Sequence, residues 1–211
     1  MKKCILVIVL LSVIFVGQAG AGLSFLKTTV VLTEEKEDVL LKQRFYSEGE
    51  QLRIDEESSG IEGNPGIRIY DLKKKKLYTI MLDVKLYMEQ DIEVEKESLM
   101  FELPPEKRYA NDSSLKVIKT KQGEETIGGH PALRYEIKVV RKAEKGKEKE
   151  EQVLERYILW AAKDLNEIPV KYEFEFPNNR KKIINYTEIN TDAVDPSLFA
   201  LPEGYMPISP F

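Results

Sequence analysis

Leu133-Arg134-Tyr135-Glu136-Ile137-Lys138-Val139 and Val170-Lys171-Tyr172-Glu173-Phe174-Glu175-Phe176 decide the fold. In each, an apolar side chain alternates with a charged one. Successive side chains of an extended strand point to opposite faces, so each stretch is a strand with one greasy face and one wet face. That is the pattern of an antiparallel sheet covered on one side.

Working outward, shorter strand candidates are Val39–Tyr46, Gln51–Asp55, Ile67–Asp71, Leu77–Met81, Leu115–Lys119, Leu154–Trp160 and Ile183–Ile189. Turn chemistry separates them at Asn64-Pro65-Gly66, Gly128-Gly129 and Pro177-Asn178-Asn179. The close, regular spacing favours one large meandering sheet. Helical signals are few. Val84–Gln90 reads as a short helix or an irregular crossing, and Pro104-Pro105 opens a turn at Glu106–Ala110. Asp195-Pro196 reads as an N-cap followed by Pro at the first helical position. A sheet with one apolar face and so few helices must curl over that face or hold something apolar against it.

The beginning of the chain reads as an export signal. Lys2 and Lys3 precede an apolar run from Cys4 to Val16, broken only by Ser12. The run fits the ~7–15 residues of a secretory signal core and is short of the ~18–20 of a membrane span. Ala19-Gly20-Ala21 supplies the small residues of a cleavage site. Residues 1–21 are therefore expected to be a signal peptide. The working chain is 22–211, a single domain, exported and not integral to a membrane once cleaved. Cys4 is the only cysteine, so the remainder has no disulfide, thiol nucleophile or cysteine metal site.

Charge and motif content narrow the function. The 32 basic and 36 acidic residues give a net charge of −4, which falls to about −6 once Lys2 and Lys3 are removed. No basic surplus is available for nucleic acid. His130, the only histidine, sits in a Gly-Gly-His-Pro turn and cannot build a histidine-rich metal site. There is no G-x-S-x-G elbow, calcium-loop spacing or phosphate-cradling glycine loop. The acidic run Asp91–Glu97 reads as a solvated face, and Lys73–Lys76 as a hairpin tip. Arg141–Glu151 and Arg180–Lys182 read as further charged tips. If these tips share one end with Lys73–Lys76, that end could face a membrane. No enzyme activity, metal or cofactor is expected. The aromatics Tyr135, Tyr157, Trp160, Tyr172, Phe174, Phe176 and Tyr186 read either as core or as the lining of an apolar cavity.

Five segments resemble the periplasmic outer-membrane lipoprotein carrier and sorting-protein superfamily, closest to an uncharacterised secreted branch. They are IRIYDLKKKKLYTI (Ile67–Ile80), Tyr87-Met88-Glu89, GEETIGGHPALRY (Gly123–Tyr135), WAAKDLNEIPVKY (Trp160–Tyr172) and DPSLFALPEGY (Asp195–Tyr205). The resemblance implies a mainly β, strongly curved antiparallel half-barrel with a few short helices over its concave face. It implies a periplasmic, non-enzymatic protein that binds a lipid, acyl chain or lipoprotein in an apolar hollow. Leu133, Tyr135, Ile137, Trp160, Tyr172 and Phe174 are the expected cavity lining. The alternative is an envelope interaction or sensor module, with a protein partner, whose hollow is filled by its own side chains.

Overall fold

The computed structural model describes residues 22–33, 36–59, 66–142, 152–176 and 180–208. The signal segment, the Asn64-Pro65 turn, the 143–151 loop and the Pro177-Asn178-Asn179 turn lie outside them. The chain forms one 12-stranded sheet. Its first meander comprises β1 (Leu23–Leu32), β2 (Glu37–Glu48), β3 (Gln51–Ser59), β4 (Gly66–Asp71), β5 (Lys76–Met81) and β6 (Leu86–Asp91). The second comprises β7 (Leu115–Ile127), β8 (His130–Arg141), β9 (Gln152–Ala162), β10 (Ile168–Glu175) and β11 (Lys181–Asn190). A last short strand, β12 (Met206–Ile208), adds in parallel to β6. All other pairings are antiparallel, and the sheet is not closed into a barrel.

The spatial order is β12-β6-β5-β4-β3-β2-β1-β11-β10-β9-β8-β7. The chain therefore starts in the middle, walks out to β6, jumps to the far edge at β7 and walks back to meet β1. The jump, residues 92–114, has to cross a face of the sheet. It carries α1 (Lys96–Met100) and α2 (Pro105–Arg108). Laid flat, β6 and β7 would stand about 48 Å apart at the usual strand spacing.

The sheet does not lie flat. A single apolar cluster joins Leu52 and Ile54 of β3 and Tyr70 of β4 to Ile137 of β8, Tyr157 of β9 and Tyr172 of β10. Side chains from strands so far apart can meet only if this face is concave. Met100 is a buried member of the cluster, and Ile92, Leu99 and Phe101 pack against it, so the crossing segment roofs the hollow. The opposite, convex face carries two smaller clusters. The C-terminal segment lays Val194 and Phe199 on Ile69 and Ile80. Near the other edge Trp160, Ile158, Ala132, Ala162 and Val170 pack together.

Several sequence expectations need correction. Val84–Gln90 is not helical. Residues 82–85 make a tight turn with Lys85 at φ 52, and β6 then returns along β5. The strand Leu23–Leu32 was not foreseen. It lies between β2 and β11 and buries residues in pairs toward both faces, so it lacks clean alternation. Lys73–Lys76 does form a turn, with the Asp71 carboxylate accepting from the Lys74 amide at 2.9 Å. That turn, however, stands at the opposite end of the sheet from Arg141 and Lys181, so the charged tips do not form one surface. The Asp195 cap is as expected: its carboxylate accepts from the Ser197 amide at 2.9 Å ahead of a single 3₁₀ turn. Gly128 and Gly129 adopt φ 58 and 90, which is why the β7–β8 turn requires glycines.

Candidate functional site

The register of β8, β9 and β10 builds the floor of the hollow. Tyr135 stands opposite Leu159, which stands opposite Tyr172. One step along, Ile137, Tyr157 and Phe174 form the next row. Tyr135, Ile137, Tyr172 and Phe174 thus share the concave face. Arg134, Glu136, Lys171 and Glu173 face the other way.

Trp160 does not join them. Tyr157 and Leu159 alternate onto the concave face of β9, whereas Trp160 is three residues from Tyr157 and so points to the convex face. There its indole N–H donates to Glu125 at 2.6 Å, and the Lys171 ammonium lies 4.5 Å from its ring. Val170 also leaves the alternation of its own strand. The pairing slips between Pro169 and Lys171, and this bulge turns Val170 toward Trp160. Leu133 is half-buried opposite Ala161, toward the end of the row. Phe176 is half-exposed beyond the end of β10, outside the hollow.

Three phenylalanines missing from the expected lining complete the floor and the roof. Phe45 stacks on Phe25 with centroids 4.8 Å apart, and Phe25 meets the edge of Tyr186 at 5.5 Å. Tyr186 contacts Tyr172 at 6.3 Å, Tyr172 contacts Phe174 at 5.8 Å, and Phe174 contacts Tyr157 at 5.2 Å. An unbroken aromatic ladder therefore runs across β2, β1, β11, β10 and β9. From the roof, Phe101 closes onto both Phe25 and Tyr186 at 5.4 Å.

The mouth of the hollow is charged. Glu102, next to Phe101, reaches Lys27 of β1 at 3.5 Å and Lys182 of β11 at 3.7 Å. Both ammonium groups lie over the ladder, Lys27 at 5.9 Å from the Tyr186 ring and Lys182 at 5.2 Å from Phe174. Burial holds the Lys27 pKa below the usual lysine value, with Glu102 opposing that shift. A cavity of about 270 Å³ opens here, bounded by Lys27, Ser98, Phe101, Glu102, Leu103 and Arg108. Further along, Arg108 pairs with Glu155 at 3.4 Å, and Tyr109 donates to the same carboxylate.

Two hydroxyls are left over. Those of Tyr157 and Tyr186 are buried without a hydrogen-bond partner. The first lies beside Arg108 and the second beside the Glu102 backbone, neither in bonding geometry. Burial pushes the pKa values of Tyr157, Tyr172 and Tyr186 well above the ordinary phenol value. Away from the hollow, His130 shares a polar contact of 2.9 Å with Asp164 at the start of β8. Among the described residues no cluster of His, Cys, Asp and Glu could hold a metal ion, and no helix is long and apolar enough to cross a membrane.

No protein-family model and no curated protein matches the chain. Among solved structures it is similar to a LolA superfamily protein from Nitrosomonas europaea, with 9% identity over 87% of this chain and 91% of that one and a TM-score of 0.36. It is similar to the Mycobacterium tuberculosis lipoprotein LppX, with 12% identity over 82% and 88% and a TM-score of 0.41. A chain of the Pseudomonas aeruginosa MucA/MucB complex aligns with 13% identity over 84% of this chain and 56% of its own, at a TM-score of 0.45.

Proposed function

We propose that the chain is a non-enzymatic binding protein of the cell envelope that shelters one apolar chain, from a lipid or a lipoprotein, in its concave hollow. In this reading residues 1–21 direct export and are removed, and 22–211 works in the periplasm as a single domain. The observation that carries the proposal is the construction of the roof. The aromatic floor is made of hydrogen-bonded strands, whereas the cover is a crossing segment that pairs with no strand and reaches the hollow through Ile92, Leu99, Met100 and Phe101. Lifting that segment exposes a continuous apolar surface without breaking the sheet. Each CH₂ of a guest then contributes about 0.8 kcal/mol.

A fluorescent fatty-acid analogue titrated into the purified protein tests the proposal. Saturable binding is expected, and Phe174→Asp should abolish it, because a carboxylate beside an acyl chain is desolvated at a cost of several kcal/mol. Lys171→Asp, on the convex face, should change it little. Thermal transitions must first show that both variants fold. Equal affinity for both variants, or no saturable binding by the parent, sinks the proposal.

One observation favours the second reading, an envelope protein-interaction or sensor module. The hollow is filled by the chain's own rings, from Phe45 through Phe101 to Tyr157. A protein without affinity for the probe would support that reading.

A further inference from the structure

Glu102 belongs to the roof, whereas Lys27 and Lys182 belong to the floor. Two ammonium groups from neighbouring strands converge on one carboxylate that is carried by the segment a guest would have to move. In that cluster of three the cations outnumber the anion. The Tyr186 hydroxyl, on a side chain only 3% exposed, lies beneath the same spot with its proton unshared. An unpaired buried hydroxyl and a surplus ammonium are both relieved by one thing, an anionic oxygen. The cavity of about 270 Å³ at this point is bounded by Lys27 and Arg108 and by the apolar Phe101 and Leu103. Charge and grease are thus placed as an amphiphile would need them.

We infer that Lys27 and Lys182 form a seat for the anionic head group of a single-chain amphiphile, and that Glu102 is a built-in occupant which that head group displaces. This rests on the lipid-binding reading above. The head group takes the ion pairs that Glu102 gives up, the Tyr186 hydroxyl donates to it, and the apolar tail runs along the ladder toward Phe174 and Tyr157. The shared chemistry is a carboxylate or phosphate on one alkyl chain, and the seat makes the protein selective for charged over neutral chains of equal length.

Equilibrium dialysis of dodecanoate, dodecyl phosphate and dodecanol against the purified protein tests this. The parent should bind the two anions about tenfold more tightly than the alcohol. In the Lys27→Gln, Lys182→Gln double variant the three should bind alike, with the alcohol as tight as in the parent. Glu102→Gln should raise affinity for the anions severalfold, and this variant needs no rearrangement of the floor to fold. The tighter of the two anions identifies the head group as that of a fatty acid or of a phospholipid. Equal binding of all three by the parent overturns the seat while leaving the hollow as a binding site. An unchanged anion preference in the double variant does the same. Saturable binding of none of them overturns both readings.

Discussion

The ring of Phe101 lies on the ring of Phe25, their centroids 5.4 Å apart and their planes 22° from parallel. A residue of the roof is thereby stacked on the middle strand of the floor. Phe101→Ala removes this contact and the one to Tyr186. The expected loss of stability is about 2 kcal/mol, less than for a fully buried ring. That corresponds to a fall of about 4–8 °C in Tm for a domain of this size. Fatty-acid probe affinity should rise in the same variant, because the guest no longer competes with the ring. A calorimetric scan and a titration on one sample decide it, and weaker probe binding at unchanged Tm would contradict the roof's role.

Tyr186→Phe and Tyr157→Phe should stabilise the protein or leave it unchanged. Each removes a buried hydroxyl that has no partner, and the desolvation of such a group costs about 1–3 kcal/mol. Urea midpoints read the effect. A clear loss of stability in either variant would mean that the hydroxyl is hydrogen-bonded in solution.

Alkaline pH should weaken the fold through the same tyrosines. An exposed phenol ionises near pH 10. Burial keeps Tyr157, Tyr172 and Tyr186 protonated well above that, so the unfolded chain loses protons first. Their contribution is complete below about pH 10 and is lost progressively above it, at up to about 1.4 kcal/mol per pH unit for each tyrosine. Denaturant midpoints measured from pH 8 to about pH 11 should be level at first and then fall. Tyr172→Phe should make the fall shallower, and an identical profile in that variant would contradict the assignment.

Trp160→Phe should separate the two faces of the sheet. It deletes the hydrogen bond to Glu125 and weakens the stack under Lys171, for a loss of about 1–2 kcal/mol. Probe affinity should not change, since Trp160 faces away from the hollow. A drop in affinity without unfolding would place the tryptophan inside.

How much of this was legible in the sequence depends on what each residue had to reveal. Tyr135, Ile137, Tyr172 and Phe174 announce their common face through local alternation, and the register of three strands then brings them together. Trp160 was readable too, because an odd spacing from Tyr157 excludes a shared face in a strand. Grouping aromatics by type alone hid that. Val170 obeys the alternation in sequence and breaks it in space, because a bulge is invisible in the residue pattern. Phe25 lies in a strand buried on both sides, which gives no period of two. Phe101 and Glu102 could not be placed from their surroundings, since the acidic run before them looks solvated. Only the strand order, with β6 at one side and β7 at the far edge, sends that run across the hollow.

The position of β1 has a kinetic consequence. Thr29 is paired with Leu41 on one side and with Ile184 on the other, so the first strand of the sheet is completed by nearly the last. Gly22, just before it, is seated so tightly that a Cβ would come within 2.3 Å of the Asp192 carbonyl oxygen. Contacts between such distant parts of a chain are slow to form, because loop-closure entropy is spent before they contribute. A nascent chain lacking its last thirty or so residues has both halves of the sheet but no seam between them. The hollow is therefore assembled only after β11 has been made, and until then the two halves of its floor have no strand to join them.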